Sequence, residues 1–120
     1  MRVASATALM RRPRAEVFAF HADVANLSRV VPFAHLFVRN MQIPVFDAPR
    51  CFVDTQRFGP FSEWRHSHRF IPVGEFTLVS DVVSFRLVPP FAPLSALAER
   101  VVAAFLSLKL RRTAALLERA

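Results

Sequence analysis

The sequence predicts an α+β fold in which a curved antiparallel sheet wraps one long C-terminal helix. Three observations predict it: residues 52–87 read as a three-stranded meander, residues 93–118 have helical apolar spacing, and one strand with two short helices comes first. Strands and helices that are segregated along a chain are typical of this class. We expect five to seven strands in a single domain that spans residues 1–120.

Composition favours a globular protein. The chain has 120 residues and is 53% hydrophobic, which is sufficient for one packed core. One cysteine excludes an internal disulfide and is typical of a reducing compartment, so we expect a cytoplasmic protein. We found no apolar run near the roughly 20 residues that a membrane-spanning helix needs, and therefore expect no transmembrane segment.

The net charge of +7 comes almost entirely from arginine. Eight of the fifteen arginines lie near the two ends of the chain, without interleaved aromatic residues and without a nucleic-acid motif. We therefore expect no specific nucleic-acid partner, although weak attraction to anionic surfaces is consistent with this charge.

The first quarter of the chain predicts a strand and two short helices. Residues 2–9 alternate loosely, with small side chains facing inward. A helix begins at Pro13, because a missing N–H costs nothing in the first turn, and runs to about Ala22. A second short helix begins near Asn26 and ends at Val31, because Pro32 disfavours a helical conformation of the residue before it.

Residues 33–50 predict one or two strands and a turn. The apolar stretches are 33–38 and 41–46, and Pro44 confines the second to a sheet edge or a strand end. Residues 47–50, with aspartate and proline, predict the turn that leads into the meander.

The middle strand of the meander has one aromatic and histidine-bearing face. Strand side chains alternate between faces, so Trp64, His66 and His68 point to the same side while charged residues occupy the other. The sequence therefore predicts that the even-numbered face of this strand is buried.

The hairpin turns predict which residues lie opposite each other. With residues 73–74 as a two-residue loop, His66 lies opposite Asp81 and Trp64 opposite Val83. This places one carboxylate on the inner face, beside a histidine.

The other turn, centred on residues 59–60, places Val53 opposite His66 on the inner face. It also places Asp54 beside Arg65 on the outer face, where an opposite-charge pair supports the register.

The long helix, from about Pro93 to Glu118, has an apolar stripe about 100° wide. We expect this stripe to face the sheet. Its members are Leu94, Leu97, Ala98, Val101, Val102, Phe105 and Leu108, with Arg112 at its end.

Four passages in order resemble one superfamily. They are RRPRAEVFAFHADVANLSRVVP, VFDAPRCFVDTQRFGPFSEWRHSHRFIPV, TLVSDVVSFRL and LVPPFAPLSALAERVVAAFLSLKLRRTAALLE, and together they cover about three-quarters of the chain. The chain resembles the START-like or SRPBCC superfamily, which includes Bet v 1-type, polyketide cyclase/dehydrase-type and coenzyme Q-binding proteins.

This resemblance implies a helix-grip fold with a hydrophobic cavity between sheet and long helix, used to hold a lipid, a quinone or a polyketide-like molecule. Such proteins typically have seven strands, whereas only residues 33–43 fill the interval that normally holds two or more of them. The chain is therefore expected to be shortened by about two strands. An exposed sheet edge would favour a homodimer.

The candidate cavity lining combines sheet and helix residues. Two histidines, a tryptophan and an aspartate carry polar groups that are costly to bury in a tightly packed apolar core. Their presence on the inner face therefore favours a pocket there. The expected lining is Val53, Trp64, His66, His68, Asp81, Val83 and Phe85 from the sheet, with Val101, Phe105 and Leu108 from the helix.

His66 and Asp81 are the candidate polar pair. A hydrogen bond between them would satisfy both groups, and a structural or ligand-orienting role is favoured over catalysis because no nucleophile or oxyanion arrangement is visible. His66 and His68 are two residues apart on one strand, which places two imidazoles on the same face as two ligands of a metal site would be. Asp81 is the candidate third ligand. Nothing fixes His21 or Cys51 nearby, so we expect no metal, and no cofactor is implied.

The leading hypothesis is a protein that binds a small hydrophobic ligand, without catalysis. One alternative is a cyclase/dehydratase-type enzyme that uses His66 and Asp81 as an acid/base pair. Another is a protein-interaction module with a vestigial cavity. The fold alone does not separate these hypotheses.

Overall fold

The computed structural model describes residues 1–31, 34 and 40–119. Within them, five strands form one antiparallel sheet in the order β1-β5-β4-β3-β2. The strands are β1 Arg2–Met10, β2 Gln42–Asp47, β3 Cys51–Phe58, β4 Phe61–Val73 and β5 Phe76–Leu87. The α-helices are α1 Arg14–Ala22, α2 Leu27–Val30 and α3 Ser95–Arg119, with 3-10 turns at Val24–Asn26 and Pro89–Leu94. The predicted α+β helix-grip fold is confirmed.

The small residues of β1 make room for the long helix. Ala4 is buried and Ala6 and Ala8 are half-buried, and the same face meets α3, which packs along β1 and β5. Side chains this short let a helix approach the sheet closely, so α3 lies over β1 and β5, at the β1 edge of the sheet.

The two short helices are joined by a local cap. The Asp23 carboxylate accepts a hydrogen bond from the backbone N–H of Ala25 and so begins the 3-10 turn. The side-chain amide of Asn26 donates to the carbonyl of Phe20, which ties this turn back onto α1. The helix pair borders one side of the space beneath α3.

The strand that contains Pro44 lies at the edge of the sheet, as its proline requires. The turn after it is closed by the Arg50 N–H, which donates to the Asp47 carbonyl at 2.8 Å. The strand expected at 33–38 lies outside the described residues, apart from position 34.

The hairpin between β4 and β5 corrects the predicted register by two residues. Its loop is Gly74 and Glu75, with Gly74 at a φ of 61°. His68, not His66, therefore lies opposite Asp81. A shift of two residues preserves the face, because side chains alternate with a period of two.

The hairpin between β3 and β4 corrects the other register by one residue. Phe58 pairs with Phe61 as the turn predicts, but Ser62 is an extra residue in β4, and beyond it Asp54 lies opposite His66. A one-residue bulge exchanges the faces of the partner strand. Asp54 is consequently inside, and Val53 faces the other side of the sheet.

The buried face of α3 differs from the predicted apolar stripe. The helix buries Val102, Leu106, Lys109, Leu110, Thr113 and Leu117. By contrast Leu94, Leu97, Val101 and Leu108 are exposed. The physical reason is the ion pair between Lys109 and Asp81. Because this pair holds the Lys109 side chain against the sheet, the most apolar stripe of the helix is rotated away from the sheet.

The segment Pro89–Arg119 is long and apolar enough, by length and composition only, to cross a membrane. In this fold it is the core helix, because its buried side chains pack on the sheet.

Candidate functional site

A cavity of about 270 Å³ lies between the sheet, the α1–α2 pair and α3. Its walls are mostly aliphatic and aromatic, among them Phe20, Leu27, Phe58, Val102 and Phe105. Three lining side chains, Val24, Ile43 and Val101, are also exposed and therefore mark its rim.

The floor of the cavity is part of a charged layer, which we define as Asp54, His66, His68, Asp81 and Lys109. All five side chains are buried. The layer separates two apolar clusters. The Phe70 cluster consists of Met10, Val17, Phe18, Phe52, Phe70, Val79, Leu110 and Leu117. The Trp64 cluster consists of Ala4, Trp64, Val83, Phe85, Leu87, Val102 and Leu106.

Asp81 and Lys109 form the ion pair at the base of this layer. Lys109 Nζ lies 2.9 Å from Asp81 Oδ2, and Asp81 is 0% exposed. Burial raises the pKa of Asp81, but attraction to Lys109, His66 and His68 outweighs it and holds the pKa well below its ordinary value. Asp81 is therefore a permanent carboxylate at neutral pH.

His66 lies between the two carboxylates of the layer. Its Nε2 is 3.2 Å from Asp81 Oδ2 and its Nδ1 is 3.9 Å from Asp54 Oδ2. These are electrostatic contacts, because neither the Asp81 oxygens nor His66 Nε2 has an aligned hydrogen bond among the described residues. Burial, followed by repulsion from His68 and Lys109, lowers the pKa of His66 to about 4, so the ring is neutral at pH 7.

His68 makes the aligned hydrogen bond of the layer. Its Nε2 donates to Asp54 Oδ2 at 2.7 Å, and its Nδ1 lies 3.4 Å from Asp81 Oδ1. The ring is stacked on His66, with centroids 3.7 Å apart, and on Phe52 at 4.1 Å. Stacking on both sides fixes the plane of the imidazole, so its nitrogens have fixed directions.

Two further polar atoms of the cavity lining are buried without a hydrogen-bond partner among the described residues. They are Trp64 Nε1, a donor, and His21 Nε2. His21 Nδ1 donates to the Val17 carbonyl at 2.9 Å, which leaves a lone pair on Nε2. Burial, followed by repulsion from Lys109, lowers the pKa of His21 to about 4. The cavity thus offers an unused donor and an unused acceptor.

Five of the ten residues predicted to line the cavity do so in the structure. Trp64, His66, His68, Val101 and Phe105 line the cavity. Asp81, Val83 and Phe85 are instead fully buried in the layers under α3. Leu108 is exposed on the helix, and Val53 is buried on the opposite face of the sheet, so neither lies in the cavity wall.

Sequence reasoning missed Asp54, Lys109 and His21 as site residues. Asp54 was hidden by the bulge at Ser62, which the turn residues do not reveal. Lys109 had a signal, since it is the single lysine of an arginine-rich chain and stands inside an apolar helix. A lone lysine among leucines is a candidate partner for a buried carboxylate.

The layer also contains a cluster with metal-ligand chemistry. One donor atom each from Asp54, His66 and His68 lies within 4.8 Å of the others. The third residue of this cluster is Asp54 and not Asp81.

Comparison with known proteins identifies the fold. No protein-family model and no curated protein matches the sequence. Among solved structures, a START superfamily protein from Mycobacterium smegmatis is 10% identical with a TM-score of 0.80, over 98% of this chain and 97% of that chain. The aromatase/cyclase Zhui from Streptomyces sp. R1128 is 16% identical with a TM-score of 0.72, over 98% and 94%.

The di-domain ARO/CYC BexL, from the BE-7585A biosynthetic pathway, is 20% identical with a TM-score of 0.78. The match covers 98% of this chain and 47% of BexL, so the chain spans about half of that protein. These likenesses show a START-like fold, which is the fold that the sequence resemblance implied.

Proposed function

We propose that the protein binds a small molecule with an apolar body and an oxygen-bearing head, held between the sheet and α3. The observation that carries this proposal is the polarity of the cavity, whose walls are apolar and whose floor is charged. Ligand sites typically combine apolar walls with a few convergent polar groups.

The polar groups define the head of the molecule. Lys109 and Trp64 Nε1 supply donors, while Asp54 and His21 Nε2 supply acceptors. A hydroxyl donates and accepts at once, so a phenol or an enol fits both kinds of group. Buried polar atoms without partners cost free energy, and a ligand hydroxyl that pairs with them would recover part of that cost.

The walls define the body. The Phe20, Phe58 and Phe105 rings line the space, and about 270 Å³ accommodates two fused six-membered rings better than a long acyl chain. Two structural neighbours are named as aromatase/cyclases, which supports an aromatic or polyketide-like ligand over a diacyl lipid.

The test uses Trp64 as an internal probe, because it is the single tryptophan and lines the cavity. EDTA-treated protein is titrated with naphthol and, separately, with naphthalene. We expect saturable changes in Trp64 fluorescence with both, and about tenfold tighter binding of naphthol, since a hydrogen bond to a charged group contributes about 1.5–3 kcal/mol.

Asp54→Asn should reduce the preference for naphthol while naphthalene still binds. The matched control is Asp47→Asn, a half-exposed carboxylate of the same sheet that pairs with Arg50, and it should leave both affinities unchanged. No saturable change with either compound would overturn the proposal.

A second candidate function is acid/base catalysis on the bound molecule. The observation in its favour is the aligned hydrogen bond between His68 and Asp54 at the cavity floor. The pair predicted from the sequence, His66 and Asp81, is within contact distance, but Asp81 is fully buried below the cavity.

The catalytic candidate is tested with tetralone, a bicyclic ketone, in D₂O. Saturable acceleration of α-proton exchange that Asp54→Asn abolishes, with tetralone still bound, would support catalysis. Binding without acceleration would leave the protein a binder only.

A further inference from the structure

We propose that Asp54, His66 and His68 form a three-ligand site for a divalent first-row transition metal, with Zn²⁺ as the best fit, at the floor of the cavity. This goes beyond the small-molecule site, since the metal would bind whether or not an organic ligand is present.

The donor atoms already converge. His68 Nε2 is 2.7 Å and His66 Nδ1 is 3.9 Å from the same carboxylate oxygen, Asp54 Oδ2, and the three donors lie within 4.8 Å of one another. Tetrahedral zinc with bonds of about 2.0–2.1 Å separates its ligand atoms by about 3.3 Å. The two measured separations from Asp54 Oδ2 therefore bracket the separation that the ion requires, and the stacked rings would tilt apart to admit it. Two imidazoles and a carboxylate suit Zn²⁺ better than they suit Ca²⁺ or Mg²⁺.

Asp81 is positioned as the outer partner of both rings. Its Oδ2 faces His66 Nε2 at 3.2 Å and its Oδ1 faces His68 Nδ1 at 3.4 Å. Protons on these two nitrogens would leave lone pairs on the two nitrogens that face Asp54. Metal-ligating histidines regularly donate their second N–H to a carboxylate, which orients the ring.

The composition of the layer also favours a cation. It contains two buried carboxyl groups, Asp54 and Asp81, and the Lys109 ammonium pairs with Asp81. Buried carboxylates in proteins are paired with a cation or coordinate a metal.

Lys109 does not occupy the metal position. Its Nζ pairs with Asp81 Oδ2 at 2.9 Å, whereas the rings of His66 and His68 approach Asp54 Oδ2. All three proposed ligands line the cavity. A fourth coordination position would therefore open toward the cavity, where water or the oxygen of a ligand can bind.

The experiment titrates untagged, EDTA-treated protein with ZnCl₂ by calorimetry and with CoCl₂ by visible spectroscopy, without organic ligand. We expect one equivalent of Zn²⁺ and an intense tetrahedral Co²⁺ spectrum without a thiolate charge-transfer band. Zn²⁺ should displace the Co²⁺. Because the spectrum is read on the unaltered chain, it tests the proposal even if a variant fails to fold.

His68→Gln and Asp54→Asn should each weaken Zn²⁺ binding at least a hundredfold. The matched control is the double variant Asp47→Asn, Cys51→Ser, which removes a neighbouring carboxylate and thiol on β2 and β3. It should bind as the unaltered protein does.

The proposal is overturned if the titration shows no stoichiometric Zn²⁺ or if the Co²⁺ spectrum is octahedral. It is equally overturned if the control abolishes binding while His68→Gln retains it. The naphthol titration is made with EDTA, so failure of the metal site and failure of the small-molecule site are separate results.

Discussion

The interface between α3 and the sheet has two kinds of region. The Phe70 and Trp64 clusters at its ends are apolar and include fully buried side chains such as Val79, Phe85 and Leu106. The charged layer between them buries two carboxylates, two imidazoles and an ammonium. The same helix and the same strands, β4 and β5, contribute to both regions.

The difference indicates separate tasks. Apolar burial stabilises at about 25 cal/mol per Å², so the end clusters are enough to hold the helix on the sheet. A buried ion pair rarely improves on apolar residues of similar volume. We therefore propose that the layer serves the cavity above it more than it serves folding.

The largest expected effect comes from breaking the ion pair on one side. Lys109→Met leaves Asp81 charged and uncompensated, and it should lower the free energy of unfolding by about 3–5 kcal/mol in urea denaturation. Arg111→Met, at an exposed position two residues along the same helix, is the control and should change it by under about 0.5 kcal/mol. Equal effects of the two variants would contradict a buried pair.

A matched pair of leucines tests which face of α3 is buried. Leu106 is 0% exposed and Leu97 is 59% exposed. Leu106→Ala should cost about 2–5 kcal/mol, and Leu97→Ala under about 0.5 kcal/mol. Thermal unfolding with calorimetry measures both. A larger loss of stability for Leu97→Ala than for Leu106→Ala would indicate that the apolar stripe predicted from the sequence faces the sheet.

The pH dependence of stability should report His21. Its pKa is lowered to about 4 in the fold from 6.5, so between these values the unfolded chain binds a proton that the folded chain does not. The free energy of unfolding therefore decreases as pH falls from 6.5 to 4, by about 1.4 kcal/mol per pH unit from this group. His21→Gln should remove that contribution, measured with EDTA present. An unchanged slope would place His21 in solvent.

The smallest effect on folding is expected at the edge strand. Ile43 and Val45 of β2 are exposed, and an exposed apolar edge favours pairing with a second copy. We expect a homodimer in sedimentation equilibrium, and we expect Val45→Lys to weaken it while changing stability by under about 0.5 kcal/mol. A monomer at all concentrations would show that β2 does not form a dimer interface.

The fold was predictable, because alternation at Trp64, His66 and His68 and the helical spacing of the C-terminal segment depend on local sequence. The composition of the site was only partly predictable. Ser62 adds one residue to β4 and so exchanges the faces of β3, and a bulge has no reliable signal in a single sequence. Lys109 faces inward because of Asp81, a contact between residues that are distant along the chain.

The most direct test of the account replaces the ion pair by apolar residues and measures stability and ligand binding together. The double variant Asp81→Val, Lys109→Met should have a free energy of unfolding equal to or above that of the unaltered protein, and it should lose the preference for naphthol over naphthalene. A double variant that is less stable yet keeps that preference would show that the charged layer serves the fold and not the cavity.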